Sequence, residues 1–220
     1  MSEASLNYRD KEFWFKENLR WTSVYFRLRK CAAIVNDLAE GQPSDLLDVG
    51  CGPLALLSTL LDENIRYYGI DIAPHRISSN VMQRDIVKSD IDFRGQRFDI
   101  VVAAGVFEYV GALQNTKFQE IAAILRPNGK FIVTYTNFGH LNDRLIDHSL
   151  YNNVRPISQF KRDLEQYFHV DRWFPSSHNW YCSEPRRKAM TVWQMPLRFA
   201  VPLLSRLLAI SYFFVCSPNI

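Results

Sequence analysis

Cysteine is scarce: Cys31, Cys51, Cys182 and Cys216 lie far apart in 220 residues, and no two form a Cys-x-x-Cys pair. That spacing excludes a disulfide scaffold and the usual zinc frameworks, and it fits a reducing compartment. Long apolar runs are also missing. The charge-free stretch Leu207 to Ile220 falls short of the roughly 18 to 20 residues that span a bilayer, so no integral membrane span is expected. Met1 to Arg9 is polar and lacks the apolar centre of a signal peptide, which leads us to expect a cytoplasmic protein. Neither sign of charge dominates: 26 Lys and Arg face 23 Asp and Glu, for a net +3, and the one basic trio, Arg186-Arg187-Lys188, reads as a solvated loop. A nucleic-acid partner is therefore not expected. His75, His148 and His169 have no partners at metal-ligand spacing, and no carboxylate cluster replaces them, so no metal site is expected.

What the chain does have is an ordinary globular composition, 47% hydrophobic and 22% charged, at a length that suits one domain. It is organised around Asp45-Leu46-Leu47-Asp48-Val49-Gly50-Cys51-Gly52-Pro53-Leu54-Ala55. A short apolar run that stops at Gly-Cys-Gly and resumes with Leu56, Leu57, Leu60 and Leu61 predicts a buried strand, a tight turn and a helix start. The glycines permit close approach of a ligand to the backbone, and the helix start offers free N–H groups to it. The turn also satisfies Gly-x-Gly-x-x-Ala, the dinucleotide fingerprint, with Asp71 at about the required distance. Asp48 argues against a dinucleotide. An acid two residues ahead of the first glycine suits a ligand with an ammonium group and no pyrophosphate.

Ahead of that strand, residues from about Asp10 to Glu40 read as helical, with Trp21, Tyr25, Leu28, Ala32 and Val35 recurring at spacings of three and four. Its aromatic start reads either as a lid over an apolar ligand or as packing on the sheet, and one of Arg20, Arg27, Arg29 and Lys30 could meet a carboxylate. Beyond the turn, Arg66 to Ile72 predicts a second strand ending in an acid, placed to accept both hydroxyls of a ribose, with Ala73-Pro74 starting a helix. Gln83 to Ile86 predicts a short third strand, Phe98 to Ala104 a fourth buried on both faces, Leu113 to Leu125 a helix, and Lys130 to Thr136 a fifth strand. Strand-helix-strand repetition means a parallel sheet with ligands at the carboxyl ends of the strands. A helix over Pro156 to Tyr167 and strands over Phe168 to Phe174 and Ile210 to Cys216 follow. The excursion between those strands, Pro175 to Ala209, is expected to roof the site.

Four segments in order, Leu47-Asp48-Val49-Gly50-Cys51-Gly52, Tyr68-Gly69-Ile70-Asp71, Phe98-Asp99-Ile100-Val101 to Glu108, and Leu125 to Lys130, resemble the successive motifs of class I S-adenosylmethionine-dependent methyltransferases. The resemblance covers residues 46–136. It implies an α/β, Rossmann-like three-layer sandwich with a seven-stranded, mostly parallel sheet and an antiparallel last strand. One domain is expected, with an N-terminal helical lid (1–42), a cofactor-binding core (43–136) and a substrate-side segment with the closing strands (137–220). S-adenosyl-L-methionine is the implied cofactor and S-adenosyl-L-homocysteine its product. Asp48, Gly50 and Gly52 would hold the methionine moiety, Asp71 the ribose, and Asp85 with Ile86 the adenine, while Ala104 and Gly105 would approach the amino-acid end and Cys51 and Ile72 are further candidate cofactor contacts. Two positions depart from the pattern: Leu54 stands where a third glycine is common, and Tyr109 where a histidine is. A narrower segment, Asn137-Phe138-Gly139-His140 to Arg144, is similar to one in the MetW family of methionine biosynthesis.

Methyl transfer mainly needs alignment and exclusion of water, because the sulfonium carries the driving force. A hydroxyl acceptor gains from a general base. The candidates are His140 and His178, with Glu108 and Tyr109 nearby, and a structural histidine at the first of these is an equal alternative. Trp14, Tyr25, Asn137 and Trp180 are the candidate acceptor contacts. The expected activity is methylation of an O or N on a small, partly apolar biosynthetic or secondary metabolite; the alternative is a MetW-like regulatory partner of a biosynthetic enzyme. The apolar C-terminal segment is a possible homodimer contact.

Overall fold

The apolar runs become strands whose successive side chains enter two separate cores. This follows from a computed structural model that describes residues 11–18, 26–137, 154–177, 209 and 211–219. Its strands are β1 (Ser44–Val49), β2 (Ile65–Asp71), β3 (Val81–Gln83), β4 (Phe98–Ala104), β5 (Leu125–Thr136), β6 (Phe168–Ser177) and β7 (Ser211–Pro218). They form one seven-stranded sheet in the order β3-β2-β1-β4-β5-β7-β6, with β7 antiparallel to both neighbours and the other pairings parallel. The helices are α1 (Lys11–Asn18), α2 (Phe26–Ala39), α3 (Gln114–Ile124) and α4 (Ile157–Leu164).

Period-two alternation assigns each side chain to a face. Leu46, Ile100, Val102, Ile132, Phe213 and Val215 pack with Cys31, Ala32 and Val35 of α2, while Leu47, Val101, Ala103, Phe131, Val133 and Phe214 pack with Phe118 of α3 and Phe160 of α4. The sheet is therefore the middle of three layers, as the resemblance implies. The apolarity of β7 is used in this core, since Tyr212 to Cys216 are buried within the chain. No described helix is long and apolar enough to cross a membrane.

Several expected elements are shorter or shifted. Instead of a helix after the glycine turn there is a five-residue 3-10 turn, Leu56–Leu60, entered through Ala55 at φ 49. A left-handed residue at that point prevents an α-helical start. No helix follows Asp71 either. There the Ser78 hydroxyl oxygen accepts from the Asn80 and Val81 N–H groups, a local bond that competes with helix formation. β3 ends at Gln83 because Asp85 turns the chain, its Oδ1 accepting from Val87 N at 3.0 Å. β5 begins at Leu125, which pairs with Phe98; Asn128 at φ 67 then shifts the register before Lys130. Of the expected Asp10–Glu40 helix, α1 and α2 are described, with Trp21 and Tyr25 outside the described residues.

Thr136, Ser177 and Ser211 share one register level, with Ser211 pairing both others. The chain thus leaves β5 and β6 and re-enters β7 at the edge where β1, β2, β3 and β4 also end. The opposite edge is held by charge. Asp45, buried, accepts from Arg66 Nε and Nη2 at 2.6 and 3.0 Å and from Arg126 Nη2 at 2.6 Å. Arg126 also pairs with Asp99, whose carboxylate accepts from Asp45 N at 2.8 Å.

Candidate active site

Two glycines make the turn after β1, and each has a steric reason. Gly50 has φ 72, and a Cβ there would overlap Val106 Cγ2 from the loop after β4. Gly52 has φ 74 and donates its N–H to Asp71 Oδ2 at 3.0 Å. Gly50 N and Cys51 N both donate to Ile70 O, at 2.8 and 3.1 Å, so the turn is fixed to the end of β2. Asp71 accepts from Ala73 N as well, at 2.8 Å.

Beneath the turn is a buried acid. Asp48 is 3% exposed, and Tyr67 donates its hydroxyl to Asp48 Oδ2 at 2.9 Å. Burial pushes the Asp48 carboxyl up to about 7, with Asp71 adding to the rise and the Tyr67 hydrogen bond opposing it. Cys51 is buried beside it, and burial first, then the two acids, holds its thiol well above the usual range. Its Sγ lies so near Gly69 that a Cβ at that residue would be 2.9 Å away.

At the end of β4, Gly105 has φ 77, and a Cβ on it would lie 2.5 Å from Arg27 Nη1 and 2.6 Å from Nη2. Arg27, in the first turn of α2, thus brings a guanidinium to the glycine next to Ala104. Two residues beyond Val106 is Glu108, 2% exposed. Its Oε1 accepts from Thr136 N at 2.9 Å and Thr136 Oγ1 at 2.8 Å, which locks the side chain between the ends of β4 and β5. Burial raises its pKa, opposed chiefly by Arg27. Tyr109 is met by Trp14 of α1, edge to face with ring centroids 4.7 Å apart. Lys11 of α1 donates to Gln83 Oε1 at 3.0 Å, and Gln83 Nε2 donates to Ile72 O at 2.9 Å. Helix α1 therefore reaches from the end of β3 to the loop after β4.

Asp48, Gly50, Cys51, Gly52, Asp71, Ala104, Gly105, Glu108 and Tyr109 all lie at the carboxyl edge. Ile72 follows β2, while Asp85 and Ile86 sit in the turn past β3, where Ile86 packs half-buried on the core. Asn137 is buried and donates Nδ2 to Ala209 O at 3.0 Å, joining the end of β5 to a residue two positions ahead of β7. Tyr25, His140, His178 and Trp180 lie outside the described residues. Four contributors escaped sequence reasoning: Tyr67, Gln83, Val106 and the choice of Arg27. Arg27 carries a signal as one of three basic residues in its helix, with Arg29 and Lys30, but helical spacing alone does not say which of them meets Gly105.

An open, mostly parallel sheet with an acid-backed glycine turn and an acid at the next strand end defines a class, the nucleoside-cofactor enzymes that bind at a topological switch point. The family model for a methyltransferase domain matches residues 23–194, and the chain belongs to that family, the class I S-adenosylmethionine-dependent methyltransferases. An uncharacterized methyltransferase of Schizosaccharomyces pombe is 22% identical over 183 residues, covering 78% of this chain and 68% of that protein. The malonyl-[acyl-carrier protein] O-methyltransferase of Acetivibrio thermocellus is 29% identical over 143 residues, but the match covers 58% of this chain and only 48% of that protein. Among solved structures, the N-methyltransferase NodS of Bradyrhizobium japonicum, in complex with S-adenosyl-L-homocysteine, superposes with a TM-score of 0.58 at 14% identity, covering 94% of this chain and 98% of that one. The cofactor is S-adenosylmethionine.

Proposed function

We propose that the chain methylates an O or N of a small, partly apolar metabolite enclosed at the carboxyl edge. The observation that carries this reading is the enclosure itself. Glu108 at the end of β4 is buried, and Trp14 covers Tyr109 beside it, an arrangement that suits an acceptor small enough to be surrounded. One relative is named for O-methylation and one structural neighbour for N-methylation, so both atom types stay within the reading.

The residues present fit the cofactor. A sulfonium supplies an activated methyl group when S-adenosylmethionine is bound. Asp48, buried and in no ion pair among the described residues, suits the methionine ammonium; Gly50 and Gly52 keep the turn free of side chains. Arg27, against Gly105, suits the methionine carboxylate, because a guanidinium grips a carboxylate through paired donors. Asp71 takes the ribose hydroxyls, while Asp85, Ile86 and Ile72 line the adenine end. Among acceptor-side residues, Trp14 and Tyr109 exclude water and Glu108 holds the proton-accepting position; His140, His178, Tyr25, Asn137 and Trp180 complete the proposed set. Buried thiols at Cys31, Cys51 and Cys216 support a reducing, cytoplasmic setting.

The test is calorimetric titration with S-adenosyl-L-homocysteine, followed by a metabolite screen with methyl-labelled cofactor. Micromolar binding and label transfer to a compound of low mass are expected. Absence of binding would overturn the cofactor assignment, and transfer only to protein or RNA would overturn the acceptor class.

A further inference from the structure

Glu108 has two oxygens in different circumstances. Oε1 is engaged by Thr136 N and Oγ1, whereas Oε2 is buried and has no hydrogen-bond partner among the described residues. A buried carboxylate oxygen without a donor is costly, and such an atom in a folded protein calls for an explanation. Latching β4 to β5 does not supply one, since that task uses Oε1 alone.

We propose that Glu108 Oε2 receives the ammonium group of an amine acceptor, so that the methyl group is transferred to nitrogen. This rests on the function proposed above. Charge balance favours an amine over an alcohol. Among the described residues, Arg27 is the cation whose charge opposes the rise in the Glu108 pKa. Once the guanidinium is engaged by a carboxylate at Gly105, Glu108 is left as a buried anion, and an ammonium compensates it where a neutral hydroxyl does not. The next residue adds a suitable wall, because Tyr109 and Trp14 present an aromatic pair to an apolar substituent on the nitrogen.

The chemistry balances. An N–H proton of the bound ammonium passes to Glu108 Oε2, freeing the nitrogen lone pair. The nitrogen then bonds the methyl carbon as the carbon–sulfur bond breaks, with sulfur keeping the electron pair. The product leaves as a methylated ammonium ion, and Glu108 returns its proton to water. The raised proton affinity of this buried carboxyl assists the first step.

The probes are benzylamine, protonated near neutral pH, and benzyl alcohol of the same shape, each titrated into the full chain saturated with S-adenosyl-L-homocysteine. Wild type should bind benzylamine at least about tenfold more tightly, the worth of one charge-assisted hydrogen bond. In Glu108→Gln, whose amide oxygen still accepts from Thr136, the preference should fall to within about twofold while S-adenosyl-L-homocysteine affinity is retained. Equal binding of the two probes by wild type overturns the proposal, and that comparison needs no variant to fold. Loss of S-adenosyl-L-homocysteine affinity in Glu108→Gln with the amine preference intact also overturns it, assigning Oε2 to the methionine ammonium. Failure of wild type to bind S-adenosyl-L-homocysteine at all overturns the cofactor reading and this proposal together, and is distinct from both.

Discussion

Asp48 is where sequence, burial and chemistry meet in one residue. Its carboxyl titrates near 7 in the folded chain, against an unfolded value of 3.8. The folded state therefore holds a proton that the unfolded state has released, and stability falls as pH rises between those values. From pH 5 to pH 8, wild type should lose about 2 to 3 kcal/mol relative to Asp48→Asn, measured by urea denaturation of the unliganded proteins. A ligand ammonium reverses the preference by favouring the charged form. Affinity for S-adenosyl-L-homocysteine should accordingly rise from pH 6 to pH 8 with release of about one proton, read by calorimetry in buffers of different ionisation enthalpy. The acid and the glycines around it were legible because their constraints are local: a strand, a turn and a ligand-facing edge lie within one short stretch. Arg27 was not, because its meeting with Gly105 depends on the rotation and tilt of α2 over the sheet.

Among elements, α1 has the most direct bearing on the site. It is pinned by Lys11 to Gln83 and by Trp14 to Tyr109, so it crosses the carboxyl edge from the β3 end to the β4 end. Removing the aromatic clasp should loosen that crossing without altering the turn beneath it. Trp14→Ala is expected to speed S-adenosyl-L-homocysteine dissociation about tenfold, with little change in association rate, in stopped-flow displacement. The aromatic start of this helix had two sequence readings, lid or sheet packing, and the Trp14–Tyr109 contact sets that ring against the loop after β4. The helices expected after Gly52 and Asp71 failed for local reasons. Left-handed Ala55 and the Ser78 hydroxyl offer the backbone other bonding, and an apolar pattern does not reveal either.

At the scale of the molecule, the sheet separates function from anchorage. Its carboxyl edge carries Gly50, Gly52 and Gly105, all at positive φ, with the buried acids Asp48 and Glu108, and its other edge carries the Asp45–Arg66–Arg126–Asp99 cluster. Asp45→Asn should lower unfolding free energy by about 2 kcal/mol, less than a fully buried pair because both arginines keep solvent contact. The same variant should leave S-adenosyl-L-homocysteine affinity within about twofold of wild type, which calorimetry beside thermal denaturation would check. The parallel pairing of β1 to β5 was readable from the strand-helix-strand repetition, whereas the strand order was not, because which strands become neighbours is set by long-range packing. The partners of Asp45 come from β2 and β5, too far along the chain for any local pattern to join them.

β7 follows β6 in the chain but lies between β6 and β5. During synthesis, β5 must therefore emerge with one side unpaired and wait while α4, β6 and the long excursion are made. Its Phe131 to Thr136 backbone is an open template throughout that interval. Ribosomes that pause before Ser211 would hold a nascent chain with a vacant slot in its sheet, one that a β7 from a neighbouring chain fits as well as its own. Crowded translation should thus favour strand-exchanged dimers, and slow dilution from denaturant should favour monomers.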